Sequence, residues 1–484
     1  MPTYDVVVAG NGVLGMATAR ALQLRDPQLR VAVIGPAARG GAASAAAGAM
    51  MGCYGEVTAQ LLRTDAGRAK LAKGKLAARH WPAWLEGINA ELAQADRVSM
   101  TPGTVVFSNA KSGTIEDENY AAIQQALRES GEACEELDPN RIPGLNPAED
   151  CRPSRALFLP GEGSIDAARL LQAMTTLIER SATLSFIDAT VKALDIQGGQ
   201  IKGVRLQDES VVSAPQVVLA AGVWTQTILD AHPDLARRIP RLFSGGGTSL
   251  VLETAAATSQ QHVLRTPNRA FACGLHAVPR GGRQLYIGAT NTLFAQPMLR
   301  TSPADMFFLL ECVLDQLDQD LCAAQLVTWQ AGNRPVAVDT CPLIGPTSVD
   351  GLWLLTGTYR DGLFLSPLLA QHMADRVCGG AGLFEETFRP ERKPICLYTQ
   401  AQARAEALKH YLAMGSEHGI RLPRIGWHRA FPRFYEQMLN GLYDELGEDE
   451  YVLPPELLAI VASDRARMVP FFRDYYAQVR QAWA

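Results

Sequence analysis

The chain has 484 residues, 47% hydrophobic and 20% charged, with a formal net charge of -5. That length exceeds one hydrophobic core and predicts two or three domains, and a pI near 6.0 speaks against nucleic acid or an anionic membrane as partner. No apolar run reaches the roughly 18 residues of a membrane span, and nine scattered cysteines without a CxxC pair suit reduced thiols in a cytoplasm rather than a disulfide frame or a metal site.

Tyr4 to Ala9 is a short apolar run of the buried parallel-strand type. It begins so early that no signal or transit peptide is expected before it. Gly10-Asn11-Gly12-Val13-Leu14-Gly15 follows, and Met16 to Leu24 reads as a helix. Strand, glycine turn and helix in this order make the GxGxxG pattern a dinucleotide site. Gly10 permits the tight turn, Gly12 admits a pyrophosphate to the backbone, and Gly15 lets helix and strand pack closely. Around Val13 and Leu14 the helix offers free N–H groups and its positive dipole end to the anion. The next strand, Val31 to Ile34, should end in an acid that holds the adenosine ribose, but Gly35-Pro36 stands there. Either another group such as Arg39 or water holds the ribose, or the cofactor is gripped less at that end, and this motif alone does not separate NAD from FAD.

Gly40 to Met51 is crowded with Gly, Ala and Ser, which lets a backbone pass close to a flat ligand. Here the sequence resembles the glycine oxidase and D-amino-acid oxidase family of flavoproteins, whose segment reads approximately G-A-S-x-A-A-G-G-M-L along the FAD ribityl chain. The resemblance implies that Ser44, Ala45, Ala46, Gly48 and Met50 line the cofactor, and that Met51 to Tyr54 approach the flavin ring. Leu157 to Asp166 resembles the family's P-G-E-G-x-(V/I)-D-P segment, with Ser164 or Asp166 as N-cap of a helix from Ala167 to Arg180. Thr190-Val191 is expected to end a strand where the family's main chain meets the adenine. Val217 to Thr225, with Ala221, Gly222 and Trp224, resembles the family's V-V-x-A-A-G-A-W-(S/T) turn.

The family's later signature is matched by Gly332-Asn333-Arg334-Pro335, Asp339, Pro342 to Pro346 and Thr356 to Pro367, with Thr358 in place of its His and Ser366 in place of its Ala. The resemblance implies that Gly357, Tyr359, Arg360, Asp361, Gly362 and Leu363 surround the flavin pyrimidine, ahead of a helix from Pro367 to Val377. It also implies that Arg334 forks onto a substrate carboxylate, a bidentate geometry that guanidinium provides and lysine lacks. The competing role for Arg334 is an ion pair with Asp339. Arg360 either touches substrate or bonds the cofactor loop, and His276 stands where the family often places a substrate-facing Tyr. The catalytic candidates are therefore Arg334, Arg360 and His276, with no metal. Related sarcosine oxidases attach flavin covalently through a Cys near this signature. Cys341 falls outside that alignment, so non-covalent FAD is expected.

The expected fold is α/β. It comprises a Rossmann-like FAD-binding domain of glutathione-reductase type (1–98, 155–232 and 330–386), a mixed-sheet substrate domain (99–154 and 233–329) and a helical C-terminal extension (390–484). Thr248 to Leu252 and Arg283 to Thr290 alternate as strands do, while Ser244-Gly245-Gly246-Gly247 reads as a flexible turn. Helices are expected over 401–414, 431–446 and 454–483. Aromatic residues such as Tyr411, Trp427, Tyr443, Phe472 and Tyr476 mark the extension as folded. It would pack on its own FAD domain, build a homo-oligomer interface or cover the pocket mouth. The function implied is FAD-dependent oxidation of a small amino acid or secondary amine, by hydride transfer to flavin N5, with oxygen as acceptor and hydrogen peroxide as product. The alternatives are a dehydrogenase subunit that passes electrons to a partner, and a hydroxy-acid oxidase.

Overall fold

A computed structural model of the chain describes residues 4–417, 420, 422, 423 and 425–484. The strand Val6–Ala9 lies at the centre of a six-stranded sheet ordered Leu343–Pro346, Leu352–Thr356, Gln216–Leu219, Val6–Ala9, Val31–Ile34 and Leu184–Ile187. All neighbours run parallel except Leu343–Pro346, which is antiparallel to Leu352–Thr356. Side chains of a strand alternate between faces, and here both faces are covered. Val6 and Val8 join a core with the helices Val13–Arg25, Ala167–Arg180 and Ser366–Val377. Val7 and Ala9 join a second core beneath an antiparallel meander, Val191–Gln197, Gln200–Leu206 and Val211–Ser213. Burial on both sides is why the strand reads as a continuous apolar run.

Thr190-Val191 does not end a strand. The parallel strand ends at Ile187, and Val191 opens the meander after a short turn. The helix after the second motif starts as expected, with Asp166 Oδ1 accepting from Ala168 N at 2.9 Å and Arg169 N at 3.1 Å.

A ten-stranded mixed sheet stands over the first one. Its longest pairing joins Leu242–Glu253 to Gln325–Ala337. The run Ser244-Gly245-Gly246-Gly247 is not a turn, since it lies buried inside Leu242–Glu253, paired on both sides. The strands Pro153–Ile165 and Gln325–Ala337 each run across an expected domain boundary, at 154/155 and 329/330. Met50–Met51 pairs with Gly163 and Ser164, which ties the small-residue stretch to this sheet.

The C-terminal helices are Gln400–Glu417, Trp427–Leu446, Pro455–Ser463 and Arg465–Ala482. The single helix expected over 454–483 is two, because Asp464 adopts φ -145°, ψ 65° and breaks the path. Their apolar faces share one core with Phe243, Leu293, Val336 and Val338, and Phe243 stacks on Phe472 at 5.6 Å. The extension therefore packs against the mixed sheet of its own chain. Among the described residues no helix is long and apolar enough to cross a membrane.

Candidate active site

A cavity of about 400 Å³ runs from the glycine turn after Val6–Ala9 to the underside of the mixed sheet. At one end Gly10, Asn11, Gly12, Val13 and Leu14 form its wall. Gly10 has φ +131°, and a Cβ on it would sit 2.2 Å from Ala220 O, so only glycine fits there. Gly15 lies beneath the wall, where a Cβ would meet Gly10 O at 1.9 Å. Ser44 Oγ accepts from Val13 N at 3.1 Å, which fastens the small-residue segment to the helix start.

The missing acid at Gly35 has a structural counterpart. A Cβ on Gly35 would meet Asn11 Oδ1 at 2.4 Å, and Asn11 Nδ2 donates to Pro36 O at 2.9 Å. Arg39 is on the wall but braces the loop, donating from Nε to Asn11 O at 3.1 Å and from Nη2 to Thr175 Oγ1 at 2.9 Å. Val191 completes this end with Ala189 and Thr190.

Along the middle, Ser44, Ala46, Gly48 and Met50 face Ala221, Gly222 and Trp224. Ala45 is not on the wall; its methyl group packs against the helix-side core. A Cβ on Gly48 would stand 2.8 Å from Tyr286 Cε1 and 3.1 Å from His276 Nε2. At the far end Arg334, Tyr359, Arg360, Asp361, Gly362, Leu363 and His276 converge, joined by Glu56, Cys273 and Tyr286. Gly357 lies behind this wall, with φ +70° and room for a Cβ only 3.2 Å from Leu343 N.

Arg334 sits on Gln325–Ala337 opposite Gly245. Its Nη1 donates to Thr290 O and to Asn291 Oδ1, both at 3.2 Å. Asp339 is not its partner, because Arg392 holds that carboxylate at 2.9 Å. Among the described residues no carboxylate forms an ion pair with Arg334 or Arg360. The glycine run explains how Arg334 fits: a Cβ on Gly247 would stand 2.4 Å from Nη1 and 2.8 Å from Nη2. A full side chain at that position would expel the guanidinium.

Arg360 lies over the Tyr359 ring at 4.8 Å. Burial opposes its charge, yet Tyr359 and Glu56 nearby hold its pKa above the usual value. Glu56, which has no counterpart in the sequence motifs, pairs with buried Arg265 at 2.6 Å. Burial pushes its carboxyl up, but Arg265 and then Arg360 hold it down at about 2. Asp361 moves the other way, to about 6, through burial and the charge of Glu56. Burial lowers His276 to about 4, and its Nδ1 donates to Gly274 O at 2.8 Å. This is a neutral imidazole stacked on Tyr286, with ring centroids 5.9 Å apart. Tyr286 Oη donates to Ala46 O at 2.8 Å.

Gly15, Ala45 and Gly357 thus lie off the wall, as do Met51, Cys53 and Tyr54 of the segment expected to approach the flavin ring, where only Gly52 lines it; the other candidate site residues line it. Glu56, Arg265, Tyr286 and Cys273 carried no signal, since each is a lone residue outside any spaced motif. A side chamber of about 150 Å³ shares Glu56, Tyr359, Arg360 and Asp361 with the main cavity, and Leu397, Tyr398 and Glu456 of the extension line it as well. Among the described residues no cluster of His, Cys, Asp or Glu could hold a metal. The donor set fits FAD: a helix N-terminus and close backbone for the pyrophosphate, a small-residue corridor for the ribityl chain, and a buried cationic end.

Comparison with known proteins agrees. A glycine oxidase of Pseudomonas aeruginosa is 27% identical over 390 residues, spanning 77% of this chain and 94% of the relative. One from Geobacillus kaustophilus is 27% identical over 77% of this chain and 93% of its own length. The crystal structure of glycine oxidase from Geobacillus kaustophilus shares the fold, with a TM-score of 0.68 and 23% identity over 81% of this chain and 100% of that one. The DAO family, described as FAD dependent oxidoreductase, matches residues 5–376, a span that holds every main-cavity residue named above and stops short of the C-terminal helices. The chain belongs to the DAO family of FAD-dependent oxidoreductases.

Proposed function

We propose that this oxidoreductase dehydrogenates a small amino acid or secondary amine whose carboxylate is gripped by Arg334. One observation carries the reading: Arg334 is positioned by two neutral acceptors, Thr290 O and Asn291 Oδ1, and no acid among the described residues pairs with it. A guanidinium left in that state at a cavity wall is a ready receptor for a carboxylate. The glycine oxidases of two bacteria are relatives at 27% identity, which supports an amino-acid substrate.

Held by the glycine turn and the small-residue corridor, FAD would supply a two-electron acceptor for the substrate, which would leave as an imine, with oxygen as the final acceptor and hydrogen peroxide as its product. The chain's residues supply orientation and a dry, shaped site. Arg334 fixes the carboxylate, so the α-carbon is held at a set distance from the wall. Burial together with the positive charges of Arg334 and Arg360 on the wall disfavours a further cation at this end, favouring the neutral amine whose lone pair assists C–H cleavage. Tyr286, His276 and Tyr359 close around this end, which suits a small substrate.

The test is anaerobic mixing of the yellow protein with amino acids, N-methyl amino acids, cyclic imino acids and hydroxy acids, following loss of flavin colour. Bleaching by an amine is expected, with KM at least about 10-fold higher in Arg334→Ala, in line with the 1.5–3 kcal/mol of a charged hydrogen bond. Bleaching by hydroxy acids alone, or an Arg334→Ala enzyme with unchanged KM, would overturn the reading.

A further inference from the structure

A hydrogen-bond chain leads from Arg334 out of the family's fold and into the C-terminal extension. Arg334 Nη1 donates to Asn291 Oδ1. Asn291 Nδ2 donates both to Tyr359 Oη at 2.7 Å and to Phe271 O at 2.9 Å. Phe271 N in turn donates to His410 Nδ1 at 3.0 Å. His410 belongs to the helix Gln400–Glu417, beyond the residues matched by the family. The preceding peptide is held from the same helix, with Ala270 N donating to Glu417 Oε1 at 3.1 Å.

Phe271 needs such holding. Its φ is +54°, the left-handed region that a bulky L-residue enters only when its surroundings impose it. Those surroundings belong to the extension: the His410 ring stacks on Phe271 at 4.7 Å and Tyr411 meets its edge at 5.1 Å. Phe271 is thus clamped from outside through its N–H and its ring, and its carbonyl, in the peptide that follows, fixes the amide that orients both Arg334 and Tyr359.

We propose that His410 is a positioning residue for the carboxylate site, acting through Phe271 and Asn291 on Arg334. The inference rests on the reading of Arg334 as a carboxylate clamp. His410 itself is not on the cavity wall, so it acts by limiting where the guanidinium points. Burial holds its imidazole neutral, with a pKa near 4, and this keeps Nδ1 an acceptor across the physiological range. Without that acceptor the peptide relaxes, Asn291 gains freedom to turn its amide, and Arg334 loses one of its two neutral anchors.

Two substitutions separate the acceptor from the ring. His410→Phe keeps a stacked, buried ring and removes the acceptor, whereas His410→Asn places an amide oxygen near the Nδ1 position and removes the ring. Each is purified with its flavin, and the dissociation constant for acetate (an unreactive carboxylate) is read from the change in flavin absorbance, alongside KM and kcat for the amine that bleaches the wild type. Expected for His410→Phe is a rise of about 10-fold in the acetate constant and in KM, with kcat changed far less and flavin content unchanged. His410→Asn should stay within about 3-fold of wild type. Should His410→Phe not accumulate with flavin, His410→Leu serves as the variant without an acceptor.

Wild-type acetate affinity in the acceptor-less variant overturns the proposal, as does equal impairment of His410→Asn, which would assign the effect to ring packing. Arg334→Ala distinguishes the two levels. If it loses acetate while the acceptor-less variant does not, the clamp stands and the role of His410 falls. If Arg334→Ala binds acetate normally, the clamp falls and takes this inference with it.

Discussion

Gly247 and Arg334 face each other with no spare volume. A methyl group at Gly247 would meet Nη1 at 2.4 Å, Nη2 at 2.8 Å and Thr290 O at 2.8 Å. Two of those atoms end a flexible side chain, so in Gly247→Ala the guanidinium moves, and the backbone at Thr290 must shift as well. Gly247→Ala is expected to raise KM about 10-fold while keeping flavin content; steady-state kinetics beside the flavin absorbance ratio check it, and unchanged KM would show that Arg334 tolerates the shift. The same contact explains why the glycine run was illegible as strand. Consecutive glycines look alike whether they serve a turn or clear space for a side chain from a distant segment. Gly10, Gly12 and Gly15 were legible because their reasons lie within one strand–turn–helix unit. Glu56 was not, because its partner Arg265, 209 residues away in sequence, becomes its neighbour only when the mixed sheet assembles.

Among elements, the C-terminal helices are the addition that the family core lacks. The helices expected over 401–414 and 431–446 were legible from apolar spacing, as Leu439, Leu442, Tyr443 and Leu446 all point into one core. The break at Asp464 was not, since apolar residues continue on both sides and only the backbone turns. What the helices cover was equally hidden: Phe243, Val336 and Val338 are each at most 1% exposed beneath Leu457, Val461 and Phe472. Uncovering a side chain of this class costs about 1.5–3 kcal/mol, several times over here, and leaves an apolar patch on the mixed sheet. A chain ended after Cys396 is therefore expected to lose most of its soluble, flavin-bearing yield. Soluble expression with flavin quantification checks this, and a yellow, monodisperse truncation product would show that the mixed sheet stands without its helices.

For the molecule as a whole, burial of neutral imidazoles sets a pH response. His276, His372 and His410 are each lowered to about 4, with burial the largest cause. In the unfolded chain they titrate near 6.5. The unfolded state therefore takes up protons first, and the stability these groups contribute is complete above pH 6.5 and lost as pH falls towards 4. Asp361 and Glu417, raised by burial, act in the opposite sense, so the test is a comparison between variants. His372→Asn retains an acceptor for Leu383 N, which now bonds His372 Nδ1 at 3.0 Å, and removes one titrating group. Its Tm deficit relative to wild type is expected to shrink between pH 7 and pH 5 in thermal melts of the flavin-bound proteins. A constant deficit would show that His372 does not contribute to the slope.

The order of strands in the central sheet bears on how the chain is made. Val6–Ala9 is synthesised about 200 residues before its neighbour Gln216–Leu219, and that strand's neighbour Leu352–Thr356 comes later still. At about 5–20 residues per second, the nucleotide turn waits tens of seconds for the strands that finish its sheet. Throughout that interval Val6–Ala9, apolar on both faces, offers an unpaired edge of the kind that recruits other chains. Chaperone cover of that edge during synthesis is therefore a condition of high yield for this enzyme, independent of how stable the finished fold is.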